Sequence, residues 1–157
     1  MTHRAGQITA AIVQTLQAST QLLVPLILQD REMSLSEDAG ELPCVCVNEG
    51  DDDALSDEGN DNLGFIDSEI SFEITGYAVG TSEPEVKAEL RRQRRYIHVA
   101  LLAYLTAGNP IGLAFVSAIK YSGADKAVIS VTGEVTAGSI VSRWRVQYRM
   151  NVLDPGD

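Results

Sequence analysis

What this chain has least of is the equipment of catalysis. Among 157 residues there are two histidines; His3 is terminal, and His98 sits beside Ile97 in a helical stretch with no partner visible in the sequence. No G-x-S-x-G, phosphate-binding loop, H-E-x-x-H or G-x-G-x-x-G occurs, so spacing shows no nucleophile, zinc pair or nucleotide cradle. His98 is read as packed or solvated, not as a general base, and no catalytic, cofactor-binding or metal-binding residue is assigned. Cysteine is equally scarce. Cys44 and Cys46 stand two apart in the strand-like run LPCVCV, which places both thiols on one face in poor geometry for a disulfide. Two thiols without a histidine cluster are also too few for a tetrahedral zinc site, so they read as small buried hydrophobes.

Long apolar runs are missing too. The strongest, LLVPLIL at 22–28, is interrupted by Pro25 and far too short to cross a bilayer. The start, MTHRAGQITAAIVQTLQ, has no continuous apolar core of secretory type. The expectation is a soluble chain made in a reducing cytoplasm, with no membrane partner and no cofactor.

Basic residues are rare in one half. The first 81 residues carry two basic groups, Arg4 and Arg31, against fifteen acidic ones; the remaining residues carry ten basic and seven acidic. The net charge of −10 disfavours a general nucleic-acid binder. Its uneven placement lets the chain attract itself, or a copy of itself. What is present otherwise is ordinary: 45% hydrophobic and 22% charged residues, enough for a single domain spanning 1–157 with its own core.

The periodicities predict an α+β fold, with a mixed, mostly antiparallel sheet and two main helices packed on it. Ala5, Ile8, Ala11, Ile12 and Leu16 recur at helical spacing over 2–18. Residues 22–28 read as a strand near an edge, because Pro25 cannot donate to a central ladder. Residues 44–48 read as a strand buried on both faces. Over 65–79 the alternation is clean, with Ile66, Ile70, Phe72 and Ile74 on one parity and Asp67, Glu69, Ser71 and Glu73 on the other. That is a half-buried strand, expected antiparallel to the one before it. Ser82-Glu83-Pro84-Glu85 forms a capping box, and Val86, Leu90, Ile97, Leu101 and Leu105 continue an apolar stripe until Gly108 and Pro110. Strands are expected over 113–121, 127–135 and 140–153, punctuated by Gly123, Gly133 and Gly138.

Three charged features stand out. EGDDDALSDEGNDN at 49–62, which includes Asp51, Asp52 and Asp53, contains no basic residue and reads as a long, mobile acidic hairpin loop. Clustered carboxylates also invite a calcium reading, although no register fits the EF-hand spacing. The second helix carries Arg91, Arg92, Arg94 and Arg95 opposite its apolar stripe, a face suited to solvent, ion pairs or phosphate. In the closing strand Trp144, Val146, Tyr148, Met150 and Val152 share one face, and Arg143, Arg145, Gln147 and Arg149 the other. One face is core and the other is a basic stripe.

The order of these elements resembles the tail terminator, or tail-completion, proteins of long-tailed bacteriophages. The resemblance is carried by ITAAIVQTLQ, LPCVCV, SEPEVKAELRRQRRYIHVALLAYL and SIVSRWRVQYRMNVLDP, and covers most of the chain. It departs from the shortest members in the insert LLVPLILQDREMSLSEDAG and in the strength of the acidic segment. It implies a non-enzymatic virion protein, assembled in the bacterial cytoplasm, that closes into a homo-hexameric ring on the tail tube. Such a ring stops tube polymerisation and offers a face to the head–tail connector, while genomic DNA passes through without sequence recognition. On this reading Arg143, Arg145 and Arg149, with Arg91, Arg92, Arg95 and the aspartates 51–53, are candidates for the subunit interface or the channel wall. The alternatives are another neck or connector protein of the virion, or a soluble domain that binds a ligand or cation through the acidic loop.

Overall fold

The computed structural model describes residues 3–35, 41–55 and 64–151. Two helices lie on one side of a six-stranded sheet: α1 (Arg4–Gln17), β1 (Leu26–Gln29), β2 (Cys44–Ala54), β3 (Phe65–Gly80), α2 (Glu83–Leu102), β4 (Val116–Ala124), β5 (Val128–Thr132) and β6 (Val135–Asn151). The strand order is β1-β2-β3-β6-β4, with β5 also paired to β6. β1 runs parallel to β2, and every other pairing is antiparallel. The expected α+β class is what the chain adopts.

The centre of the sheet is the β3–β6 pair, which runs without a register break from Phe65↔Asn151 to Gly80↔Thr136. The far side of β6 is shared. β5 pairs with its first residues and β4 with its later ones. Strict alternation along two long neighbours gives the sheet two faces of opposite character. Ile70, Phe72 and Ile74 of β3 and Trp144, Val146 and Tyr148 of β6 join Val45 and Val47 of β2 on the helix side, where Ile8, Ile12, Leu16, Ile97 and Leu101 cover them. On the opposite side Cys44 and Cys46 cluster with Met33, Leu42, Tyr77 and Ala137 beneath the β1–β2 connection. Both thiols are free and buried.

Helix α2 starts as the capping box requires. The Ser82 side chain accepts from the Glu85 backbone amide, and the Glu85 carboxylate accepts from the amide and hydroxyl of Thr81 at 2.9 Å each. Its N-terminal half can press onto β6 because Gly138 has no side chain. A Cβ there would lie 2.7 Å from Val86 Cγ1 and 2.8 Å from Ile129 Cδ1. Gly138, expected between strands, is thus inside β6, which begins at Val135 rather than at residue 140.

Other boundaries move for identifiable reasons. The run 22–28 is strand only from Leu26. Leu22 is fully buried, its amide bonded to Ser19 Oγ at 3.2 Å, and Leu23 takes a positive φ of 49°, so the chain turns before Pro25. The apolar stripe of α2 ends at Leu101. The chain then tightens into a 3₁₀ turn, Ala103–Leu105, that leaves Leu105 69% exposed. The strands expected over 113–121 and 127–135 are Val116–Ala124 and Val128–Thr132.

The largest correction concerns the acidic segment. Glu49 to Ala54 were expected as loop but continue β2 as a strand, paired with β3 out to Ala54↔Ser68. Ladder hydrogen bonds need only the backbone, so exposed aspartates do not prevent pairing. The register shifts between Glu49 and Asp52. Gly50 sits in that bulge, where a Cβ would lie 2.5 Å from Ser71 Oγ. The rest of the expected loop, residues 56–62, lies outside the described residues.

Leu101, 2% exposed, and Leu105, 69% exposed, form a matched pair for testing this packing. Leu101→Ala should lower the unfolding free energy by about 2–5 kcal/mol. Leu105→Ala should change it by no more than about 0.5 kcal/mol. Urea denaturation of both variants checks the difference, and equal effects would contradict this helix placement.

Candidate functional site

The sheet face turned away from the helices carries two stripes of charge. Alternation brings Asp67, Glu69, Ser71 and Glu73 of β3 to that face, and register sets them against Arg149, Gln147, Arg145 and Arg143 of β6. Arg149 Nε donates to Asp67 Oδ1 at 2.7 Å and Nη2 to Oδ2 at 3.0 Å. Glu69 receives Arg145 at 3.2 Å and Gln147 at 2.9 Å. Arg143 makes a bidentate pair with Asp125, 2.7 Å to each oxygen, and lies 3.5 Å from Glu73. The basic stripe thus meets an acidic stripe of the same chain. Both stripes were visible as alternating sequences, but their partnership depends on strand order, which alternation alone does not specify.

The pairing favours the charged form of the acids. The hydrogen-bonded guanidinium of Arg149 holds the Asp67 carboxyl below the usual aspartate range, and Arg143 does the same to Asp125. Ser71, the small residue of the stripe, leaves a hollow of about 320 Å³ bounded by the Gly50–Asp51 bulge, Ser122, Arg143 and Arg145.

The three aspartates diverge. The bulge turns Asp52 toward the helix side, where it accepts a 2.6 Å hydrogen bond from the hydroxyl of buried Tyr148. Burial, together with this carboxylate, pushes the Tyr148 hydroxyl up. All three aspartates are exposed. Asp51 is engaged through its carbonyl, which accepts from Ser71 Oγ at 3.1 Å.

The arginines of α2 divide as well. Arg92 bridges elements: it binds Glu89 at 2.7–2.8 Å and donates to the carbonyls of Gln21 and Leu22 at 2.7 Å each. Glu89 also accepts from Gln93, whose amide donates to the Tyr77 carbonyl at 2.9 Å. Arg92, read from sequence as a surface candidate, therefore ties α2 to the α1–β1 connection. Arg91, Arg94 and Arg95 are exposed. Arg95 lies over the Tyr96 ring at 5.7 Å.

His98 packs between rings, 5.1 Å from Tyr121 and 5.3 Å from Trp144. His3, which sequence reading left without a role, caps α1 by accepting from the Ala5 amide at 3.2 Å. Among the described residues no three His, Cys, Asp or Glu side chains converge as a metal site, and no helix is long and apolar enough to cross a membrane.

These features define an α+β domain whose sheet face away from the helices carries two paired stripes of charge beside a small hollow. Neither known family profiles nor curated protein sequences match the chain. In three dimensions it is similar to a chain in a solved structure, the virion of a native gene transfer agent particle, with a TM-score of 0.53 and 17% sequence identity. The similarity spans 91% of this chain and 96% of that one. At such identity it is a likeness of fold.

Two outcomes test this surface. A group whose pKa is depressed on folding contributes stability above its unfolded pKa and loses it as pH falls through the folded value. Asp67 should therefore titrate below the usual aspartate range by carboxyl NMR, and Arg149→Gln should raise its midpoint toward that range. Arg92→Ala should cost about 1–3 kcal/mol, since it strips two carbonyls and a carboxylate of a charged donor. Arg91→Ala, on the exposed side of the same helix, should stay within about 0.5 kcal/mol in the same thermal or urea melts.

Proposed function

We propose that this chain is a structural protein of a phage-type virion that forms a ring on the end of a tail tube. There it stops tube growth and presents a docking face to the head connector. The observation that carries this reading is the fold likeness to a chain of a gene transfer agent virion, which spans nearly the full length of both chains. The terminator-like order of elements read in the sequence points the same way. The surface agrees with assembly: the sheet face away from the helices is built of paired charge stripes on the unbroken β3–β6 ladder.

A ring needs a contact that joins unlike surfaces of successive copies and closes after a fixed number of steps. A domain with separated acidic and basic regions has the means for it. The ring surrounds a channel through which DNA passes, and its net negative charge keeps that passage free of strong phosphate contacts.

Native mass spectrometry and negative-stain microscopy of the purified chain should show six-membered rings. Added to a polymerising tail tube protein, the chain should shorten the tubes and appear at one end of each. A chain that stays monomeric and leaves tube length unchanged would refute the proposal.

A further inference from the structure

The charge pairing on the sheet identifies which charges remain for a partner. Arg143, Arg145 and Arg149 are all engaged by acids of their own chain, and Arg92 and Lys87 by Glu89 and Glu83 of their own helix. Among the described residues Arg91 and Arg94 make no hydrogen bond or ion pair. Three residues apart, they lie on one exposed face of α2, with Arg95 beside them and Val99 49% exposed on the following turn. The chain's surplus acid lies elsewhere. Asp51 and Asp53 are exposed on the distal end of β2, where Asp53 faces Glu69, a carboxylate already held by Arg145 and Gln147.

These two patches cannot neutralise one another within a copy. Gln93, between Arg91 and Arg94 on α2, is anchored at Tyr77 and Gly76 of β3, whereas Asp52 pairs with Ile70. Six residues of extended strand separate those anchors, about 20 Å at roughly 3.3 Å per residue. The patches also belong to different layers, one on the outer side of the helices and the other at the end of the sheet.

We infer that the exposed arginine face of α2, Arg91 and Arg94 with Arg95, docks the acidic distal end of β2, Asp51 and Asp53, of a second copy of this chain. The contact joins unlike surfaces, so each copy offers one of each and the association propagates from copy to copy. It rests on the ring proposed above and specifies that ring's interface. It also moves that interface from the β6 stripe, whose arginines are already satisfied, to α2.

Charge exchange in the full chain tests this, with circular dichroism to confirm folding. R91E/R94E and D51R/D53R should each raise the concentration needed for assembly at least tenfold in light scattering and native mass spectrometry. Mixed in equal amounts they should assemble again, because every contact then joins opposite charges. Rings formed by either variant at wild-type concentrations would overturn the contact and leave the ring reading intact. Failure of the folded mixture to assemble would do the same. Wild-type copies that associate through these residues but grow into open filaments would support the contact and refute the ring. A wild type that stays monomeric at millimolar concentration would refute both. If R91E/R94E assembles normally but loses retention of duplex DNA shown by the wild type, the arginine face serves nucleic acid and the inference is wrong.

Discussion

The structure depends on the unbroken pairing of β3 with β6. Sixteen consecutive residue pairs fix the register of both strands, and the period of two then assigns every side chain on them to a face. A slip of one residue would carry Trp144 and Tyr148 to the solvent side and Arg145 to the core. The bulky side chains on the helix face therefore resist slippage, and the matched charges on the other face reinforce the register. Each exposed ion pair contributes little alone, because water and salt screen it. Their arrangement acts more on specificity of pairing than on stability.

From that pair the remaining elements follow in order. Val86, Leu90, Ile97 and Leu101 seat α2 across both strands, with Gly138 letting its N-terminal half approach the sheet. Arg92 extends the hold to the carbonyls before β1, so the first helix and the edge strand are positioned by the second helix. Gln93 binds the Tyr77 carbonyl through its amide, while its buried carbonyl oxygen, without a hydrogen-bond partner, sits against Gly76 where no Cβ intervenes. The result is a helix layer and a sheet joined through Arg92 and Gln93, with charged side chains on the outer side of each.

Charge is the property on which sequence and structure part most. In the sequence the strongest cationic signal is the alternating Arg143, Arg145, Arg149 stripe, and the strongest anionic signal is the run from Glu49. Folding consumes the first by placing Asp67, Glu69, Glu73 and Asp125 against it. It also converts part of the second into strand, where Asp51, Asp52 and Asp53 are all exposed and Asp52 alone accepts from the Tyr148 hydroxyl. Among the described residues Arg91 and Arg94 of α2 keep their charge free of hydrogen bonds and ion pairs, whereas Arg92 on the same helix bridges two elements.

The sequence by itself determined the α+β class, the two-faced character of β3 and β6, the start of α2 at its capping box and the burial of the paired cysteines. Each rests on local periodicity or local hydrogen-bonding chemistry, and neighbouring residues suffice to express it. Tertiary structure alone decided that β3 and β6 are neighbours and that β4 and β5 share one edge. It decided as well that the acidic segment continues β2 and that the helix stripe stops before Leu105. Those outcomes turn on pairings between residues far apart in the chain, as in Arg149 with Asp67, 82 positions away, where an exposed polar side chain carries no local mark of its partner. Backbone pairing, indifferent to side-chain charge, made a strand of Asp52 to Ala54, and register between distant strands set the β6 arginines against acids of their own chain.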